Sequence, residues 1–92
     1  MIIMSVSEHL AVLRAYKEDK GCTDCGHRYP HFILEFDHKP GYRKLDNVYR
    51  VLRKYGIEMA WKEIRKCDVV CSNCHKIRTN DREESYACIV YS

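Results

Sequence analysis

Val69-Val70-Cys71-Ser72-Asn73-Cys74-His75 decides the fold: a pair of β-branched residues, two cysteines separated by two positions, and a histidine directly behind the second. Branched side chains suit a pleat, so Asp68 to Cys71 reads as a very short strand. Ser72 is placed to cap a helix running to about Glu84. An earlier pair, Cys22-Thr23-Asp24-Cys25, repeats the same spacing. Each pair can present two sulfurs to one tetrahedral ion at about 2.3 Å, which makes Cys22, Cys25, Cys71 and Cys74 the expected ligands of one structural Zn2+. The pairs lie far apart in sequence, so the ion would clamp the middle of the chain shut. Disulfides are the competing use of six cysteines, and iron shares the S4 cage. The paired spacing and the lack of a secretion signal favour zinc.

Working outward, 92 residues suit one domain, 1–92, and a chain this short buries only about 60–65% of its unfolded surface. A coordinated ion would supply folding free energy that so thin a core lacks. Charged residues at 32% and hydrophobic ones at 46% exclude a disordered tail or a fibre. No apolar run reaches the roughly 18 residues of a membrane span. The apolar start, Met1 to Met4, is interrupted by Glu8 and His9 without a basic leader or cleavage site, so a cytoplasmic protein is expected. The net charge of +3 permits phosphate binding without demanding it. There is no repeat, low-complexity tract or linker.

Ser5 and Glu8 form a capping-box pattern before Val6, Leu10 and Leu13, which predicts an N-terminal helix over 6–20 stopped by Gly21. Phe32, Leu34 and Phe36 alternate after Pro30 and predict a short strand with those three on one side. Val48, Leu52 and Tyr55 behind Asp46 or Asn47 predict a second helix that Gly56 ends. Ile57, Ala60, Trp61 and Ile64 predict a third, with Trp61 in the core. These two helices form an insertion over 45–66. The expected class is α+β: a short two-stranded antiparallel hairpin, a four-cysteine clamp and flanking helices.

Asp37 and His38 follow the first strand, and His75 follows Cys74, whose position the clamp would fix. A carboxylate at 37 and an imidazole at 75 make an incomplete coordination shell, open to water and substrate oxygens as a catalytic metal site requires. The plainer use of Asp37-His38 is a turn with an Asp cap and an exposed His. Beside the cysteine clamp, chemistry is the stronger reading.

The series Cys22-x-x-Cys25-Gly26, Leu34-Glu35-Phe36-Asp37-His38, Glu63-Ile64-x-x-Cys67 and Val69-Val70-Cys71-x-x-Cys74-His75 resembles the HNH endonucleases, also called His-Me finger or ββα-metal nucleases, in their small zinc-clamped form. It spans positions 22 to 80 and leaves the first 20 residues and the tail uncovered. The resemblance implies a ββα-metal core over 22–84 and phosphodiester hydrolysis with one divalent ion, Mg2+, Mn2+, Ni2+ or Zn2+. His38 then looks like the general base, and Asp37 and His75 like the ligands of the catalytic ion. Double-stranded DNA is the implied substrate, with nicking the expected outcome and a phage or mobile element the expected setting. The family's middle Asn, which braces the loop between the strands, is replaced by Lys66 at the usual position. Asn47 or Asn73 could take over the bracing, and Lys66 itself is a candidate either for that place or for a phosphate contact.

Arg43 and Lys44 lie in the loop after Asp37-His38, and Lys76, Arg78 and Arg82 lie on the last helix, where 75, 78, 79 and 82 share a face. Cations beside a metal ligand suit a phosphate backbone, although Asp81, Glu83 and Glu84 offset some of the charge. No base-reading module is visible, so weak sequence preference or targeting by a partner protein is expected. The alternative class is a zinc-stapled nucleic-acid-binding module without turnover. His9, His27 and His31 read as structural or surface residues, although His31, opening the strand, could approach the cleft from it. Cys67 reads as a small buried residue and Cys88 as a thiol of the tail.

Overall fold

The computed structural model describes residues 4–91, with side chains through Arg82. Cys88 and the carboxylates of Glu83 and Glu84 lie outside the described side chains, as does most of the Met1 to Met4 start. Among the described residues the protein is a small α+β fold of four α-helices and a two-stranded antiparallel sheet. The order is α1 (Val6–Lys20), β1 (Leu34–His38), α2 (Val48–Tyr55), α3 (Ile57–Ile64), β2 (Cys67–Cys71) and α4 (Ser72–Tyr91). No helix among the described residues is long and apolar enough to cross a membrane.

Helix α1 begins with the expected capping box: Ser5 Oγ accepts the Glu8 N–H at 3.2 Å, and Glu8 Oε1 accepts the Ser5 N–H at 3.3 Å. Leu13 is wholly buried, whereas Val6 is 47% exposed, so the apolar face begins one turn later than its sequence suggests. Asn47 rather than Asp46 caps α2, its side chain accepting the Tyr49 N–H at 2.9 Å. Gly56, at φ 92°, ends α2 and opens α3, a left-handed conformation that glycine adopts without steric cost.

The first strand is shifted from its expected place. Residues His31–Ile33 form a 3-10 turn, closed by the Ile33 N–H on the Pro30 carbonyl at 3.0 Å, and Phe32 is 73% exposed. The reason lies in the partner strand. Leu34 pairs with Cys71, the last residue of β2 before α4 begins, so residues ahead of Leu34 have no ladder to join. The strand runs instead through Asp37 and His38, which face Asp68 and Cys67. The two strands are joined by the insertion carrying α2 and α3, not by a tight hairpin.

The core has two centres. Leu13, Val48, Leu52, Ala60 and Ile64 form the helical one, with Trp61 packed against it. Cys22, Leu34, Val69, Val70 and Cys71 form the other beside the sheet. Tyr16 and Phe36 touch both, so side chains from α1 and β1 couple the helical insertion to the cysteine-bearing side.

Candidate metal centre and cleft

The sulfurs of Cys22, Cys25, Cys71 and Cys74 all lie within 4.8 Å of one another. Among the described residues this is the one such group of three or more His, Cys, Asp or Glu side chains. The knuckle between Cys22 and Cys25 is held by the Gly26 N–H on Cys22 O and the Cys22 N–H on His27 O, both at 2.9 Å. Gly21, at φ 69°, fits there because a Cβ would stand 3.1 Å from the His27 carbonyl. The Thr23 N–H bonds Val69 O at 2.8 Å and ties this knuckle to β2. The Cys25 and Cys74 amides point at the sulfurs of Cys22 and Cys71, at 3.5 and 3.4 Å. All four thiols are free, and the set can hold a structural metal ion such as zinc, for which sulfurs about 3.8 Å apart suit a tetrahedron of 2.3 Å bonds.

Cys67 stands apart. Burial pushes its thiol up to about 12, and its Sγ donates to Glu63 O at 3.4 Å, so it behaves as the small buried residue expected of it.

Asp37 and His75 come together: Asp37 Oδ1 and His75 Nε2 are 3.5 Å apart. The antiparallel register sets Asp37 directly opposite Asp68, a like-charge pair that repels unless a cation intervenes. Arg78 intervenes. Its Nη1 reaches Asp37 at 2.8 Å and Asp68 at 3.1 Å, while Nε and Nη2 grip Asp24 at 2.6 Å each. Arg82 adds bonds of 3.2 and 3.0 Å to the two Asp37 oxygens. Burial alone would raise the Asp37 carboxyl, but the Arg82 and Arg78 guanidiniums outweigh it and hold it below the usual range. The expected helix face carrying 75, 78 and 82 therefore exists, yet it closes on Asp37. Arg78, expected to meet nucleic acid, has its guanidinium enclosed by three carboxylates and faces inward. Arg82 is held by Asp37 but keeps its side chain 45% exposed.

His38 lies on the other side of this junction. Its Nε2 is 2.8 Å from Glu63 Oε2, and Glu63 is 1% exposed. Burial would raise the Glu63 carboxyl, but Lys66, the Leu45 N–H and His38 prevail and hold it below the ordinary range. An ionised carboxylate only accepts, so His38 Nε2 carries the hydrogen that Glu63 Oε2 receives. His38 and His75 line one cavity of about 260 Å³ together with Glu35, Lys44 and Lys17. His75 Nδ1 is 3.4 Å from Glu35 Oε1 at its edge.

The loop between β1 and α2 is braced from the position where Lys66 stands. Lys66 Nζ donates to Arg43 O at 2.8 Å and to Glu63 Oε1 at 2.9 Å, its carbonyl accepts the Lys39 N–H at 2.8 Å, and Glu63 accepts the Leu45 N–H at 3.0 Å. Asn47 is occupied in capping α2 and Asn73 is exposed. Arg43, Lys44 and Lys76 are exposed, and of these Lys44 reaches the cavity.

Two site residues were given no role by the sequence. Glu63 entered only as a matching position of the family series, although its place three residues after Ala60 and beside Ile64, on the buried stripe of α3, was a signal of burial. Lys17 is 5% exposed, with Nζ donating to Leu34 O at 2.9 Å and lying 5.2 Å from the Tyr49 ring and 5.5 Å from that of Phe36. Burial, reinforced by Arg14, lowers its pKa.

The depressed Glu63 carboxyl sets a pH dependence. Its stabilisation is complete above the unfolded value of about 4.3 and is lost as pH falls through the lower folded value. The melting temperature is expected to fall progressively below about pH 4.3, and Glu63→Gln to flatten that acid limb. Thermal melts from pH 7 to 3 check it, and an acid limb equally steep in the variant would remove Glu63 as its source.

Comparison with protein-family models, with curated proteins and with solved structures returns no match, so function is argued from the chemistry of the site.

Proposed function

We propose that the protein is a metal-dependent DNA endonuclease of the ββα-metal kind, hydrolysing phosphodiester bonds with His38 as general base. One observation carries the reading: His38 and His75 line the same cavity, and the Asp37 carboxylate stands 3.5 Å from His75. Their order on β1 and the start of α4, beside a four-cysteine cluster, supports it.

In this reading His38 Nδ1 takes a proton from water attacking phosphorus, and buried Glu63 stabilises the imidazolium that forms. Lys44 offers positive charge to the bound phosphate. Donors 3.5 Å apart can both reach one ion at about 2.1 Å, so Asp37 and His75 fit Mg2+, Mn2+, Ni2+ or Zn2+. An ion held by Asp37 and His75 would supply positive charge to the phosphate, and cleavage in this sense would leave 5′-phosphate and 3′-hydroxyl ends. Arg82, the more exposed of the two arginines on Asp37, is the one that gives way.

The occupation of both Asp37 oxygens by arginine favours a second reading, a zinc-stapled DNA-binding module without turnover. Supercoiled plasmid with Mg2+, Mn2+ or Ni2+ separates the two. The nuclease converts it to open circles, and His75→Ala loses the ion-dependent activity. Plasmid that stays supercoiled with every ion, while binding is retained, establishes the module.

A further inference from the structure

A second cavity, of about 460 Å³, opens between α1 and α2. Arg14 from α1, Arg50 and Arg53 from α2, and His31 from the 3-10 turn line it, and no carboxylate does. Two acids stand close to these residues: Asp46 lies 3.9 Å from Arg50, whose side chain is 76% exposed, a pair so open to water that it neutralises little, and Glu18 Oε2 accepts the His31 backbone N–H at 2.8 Å. Arg50 and Arg53 continue with Lys54 into a neighbouring hollow that Asp46 also borders. Asn47 and Tyr49 line both this cavity and the His38–His75 cavity, so the two share a wall. The Tyr49 ring, packed against Lys17 and Phe36, fixes that wall.

The result is a run of cations from Lys44 in the first cavity, where Glu35 offsets part of the charge, past the neutral Asn47 and Tyr49 to the three arginines, with Lys17 buried beneath it. It is longer than one phosphate needs, and arginine forks match phosphate oxygens two at a time. The ligand chemistry is that of a chain of phosphates. Resting on the nuclease reading, we infer that the α1–α2 face is a second DNA-backbone surface, holding the duplex to one side of the scissile bond. It gives α1, which lies outside the stretch that carries the family resemblance, a role in substrate binding.

The test measures binding of a 20-base-pair duplex without divalent ions, across a salt series, with plasmid nicking measured separately. Arg14→Gln/Arg50→Gln/Arg53→Gln is expected to bind at least about tenfold more weakly and to reduce the slope of log affinity against log salt by about 3, one unit for each phosphate that is no longer neutralised. Lys20→Gln/Lys62→Gln/Arg65→Gln, at positions lining neither cavity, should bind and melt like the parent. The single reversal Arg53→Glu should weaken binding in the same direction and guards against a folding defect in the triple variant. If the parent nicks DNA while the arginine variants bind with unchanged affinity and slope, the face is overturned and the nuclease reading stands. Loss of binding in the variants when the parent binds but never nicks keeps the face and sinks the nuclease reading. A parent that binds no duplex at low salt overturns the face.

Discussion

Stripping metal from the four-cysteine cluster is expected to unfold the sheet side of the protein and take the cleft with it. Cys22 and Cys71 are each 2% exposed and belong to the sheet-side core, so these sulfurs are part of the packing. Without a cation the four thiols cannot all ionise at this spacing. A backbone hydrogen bond from His27 lowers Cys25 to about 7, while hydrogen bonding with Cys71 pushes Cys74 up to about 12. A dication resolves that conflict, and its binding energy becomes folding energy. The expected loss is on the order of 5 kcal/mol, comparable with the whole stability of a small domain. Metal analysis should find one zinc per chain, and a strong chelator should collapse the far-UV circular dichroism. Trp61 emission should shift with it, because Tyr16 links the two halves of the core and its ring lies 5.3 Å from that of Trp61. Cys71→Ser should reproduce the chelated state. Cys67→Ala should keep the zinc and cost about 1 kcal/mol, the thiol–carbonyl bond being its main loss. A chelated protein with an unchanged melting midpoint would show that metal staples nothing.

What the sequence disclosed followed from local rules. Helical spacing and caps located α1, α2 and α3 closely, because Ser5, Asn47, Gly21 and Gly56 act on their immediate neighbours. The cysteine pairs and the Asp37–His75 meeting were legible because spacing and order carry them. Long-range pairing was not. The register of Leu34 on Cys71 decides where β1 starts, and nothing local to Phe32 announces that its ladder partner is missing. The same holds for Arg78: only the cross-strand pair of Asp37 and Asp68, with Asp24 nearby, turns a cation of an exposed-looking helix inward. Lys17 was hidden because a lysine in a helix reads as surface until the strand carbonyl that accepts it is placed.

On the proposed nuclease reading, His38→Ala is expected to lower the nicking rate by about 10²- to 10⁴-fold while leaving DNA binding within a few-fold of the parent, the range for losing a general base. The side chain is largely buried and bonded to Glu63 alone, so melting must be measured alongside. Added imidazole should restore part of the rate if an open space beside Glu63 accepts it, an outcome that mere unfolding would not give. Glu63→Gln tests the other half of the pair. The amide keeps the shape but removes the charge that fixes the His38 tautomer and stabilises its protonated form, so the rate should fall by about 10- to 100-fold, less than for His38→Ala. Stability should fall too, by about 1–3 kcal/mol, because Lys66 and the Leu45 N–H lose a charged acceptor in a buried position. Arg43 and Lys44 lie on the loop those two bonds hold, so weaker DNA binding should accompany the change. Combining the two substitutions discriminates between a coupled pair and two independent structural residues. Coupling predicts a double variant no slower than His38→Ala, since Glu63 acts on the reaction through that ring, whereas losses that multiply would place Glu63 outside the proton transfer and assign it to the loop alone.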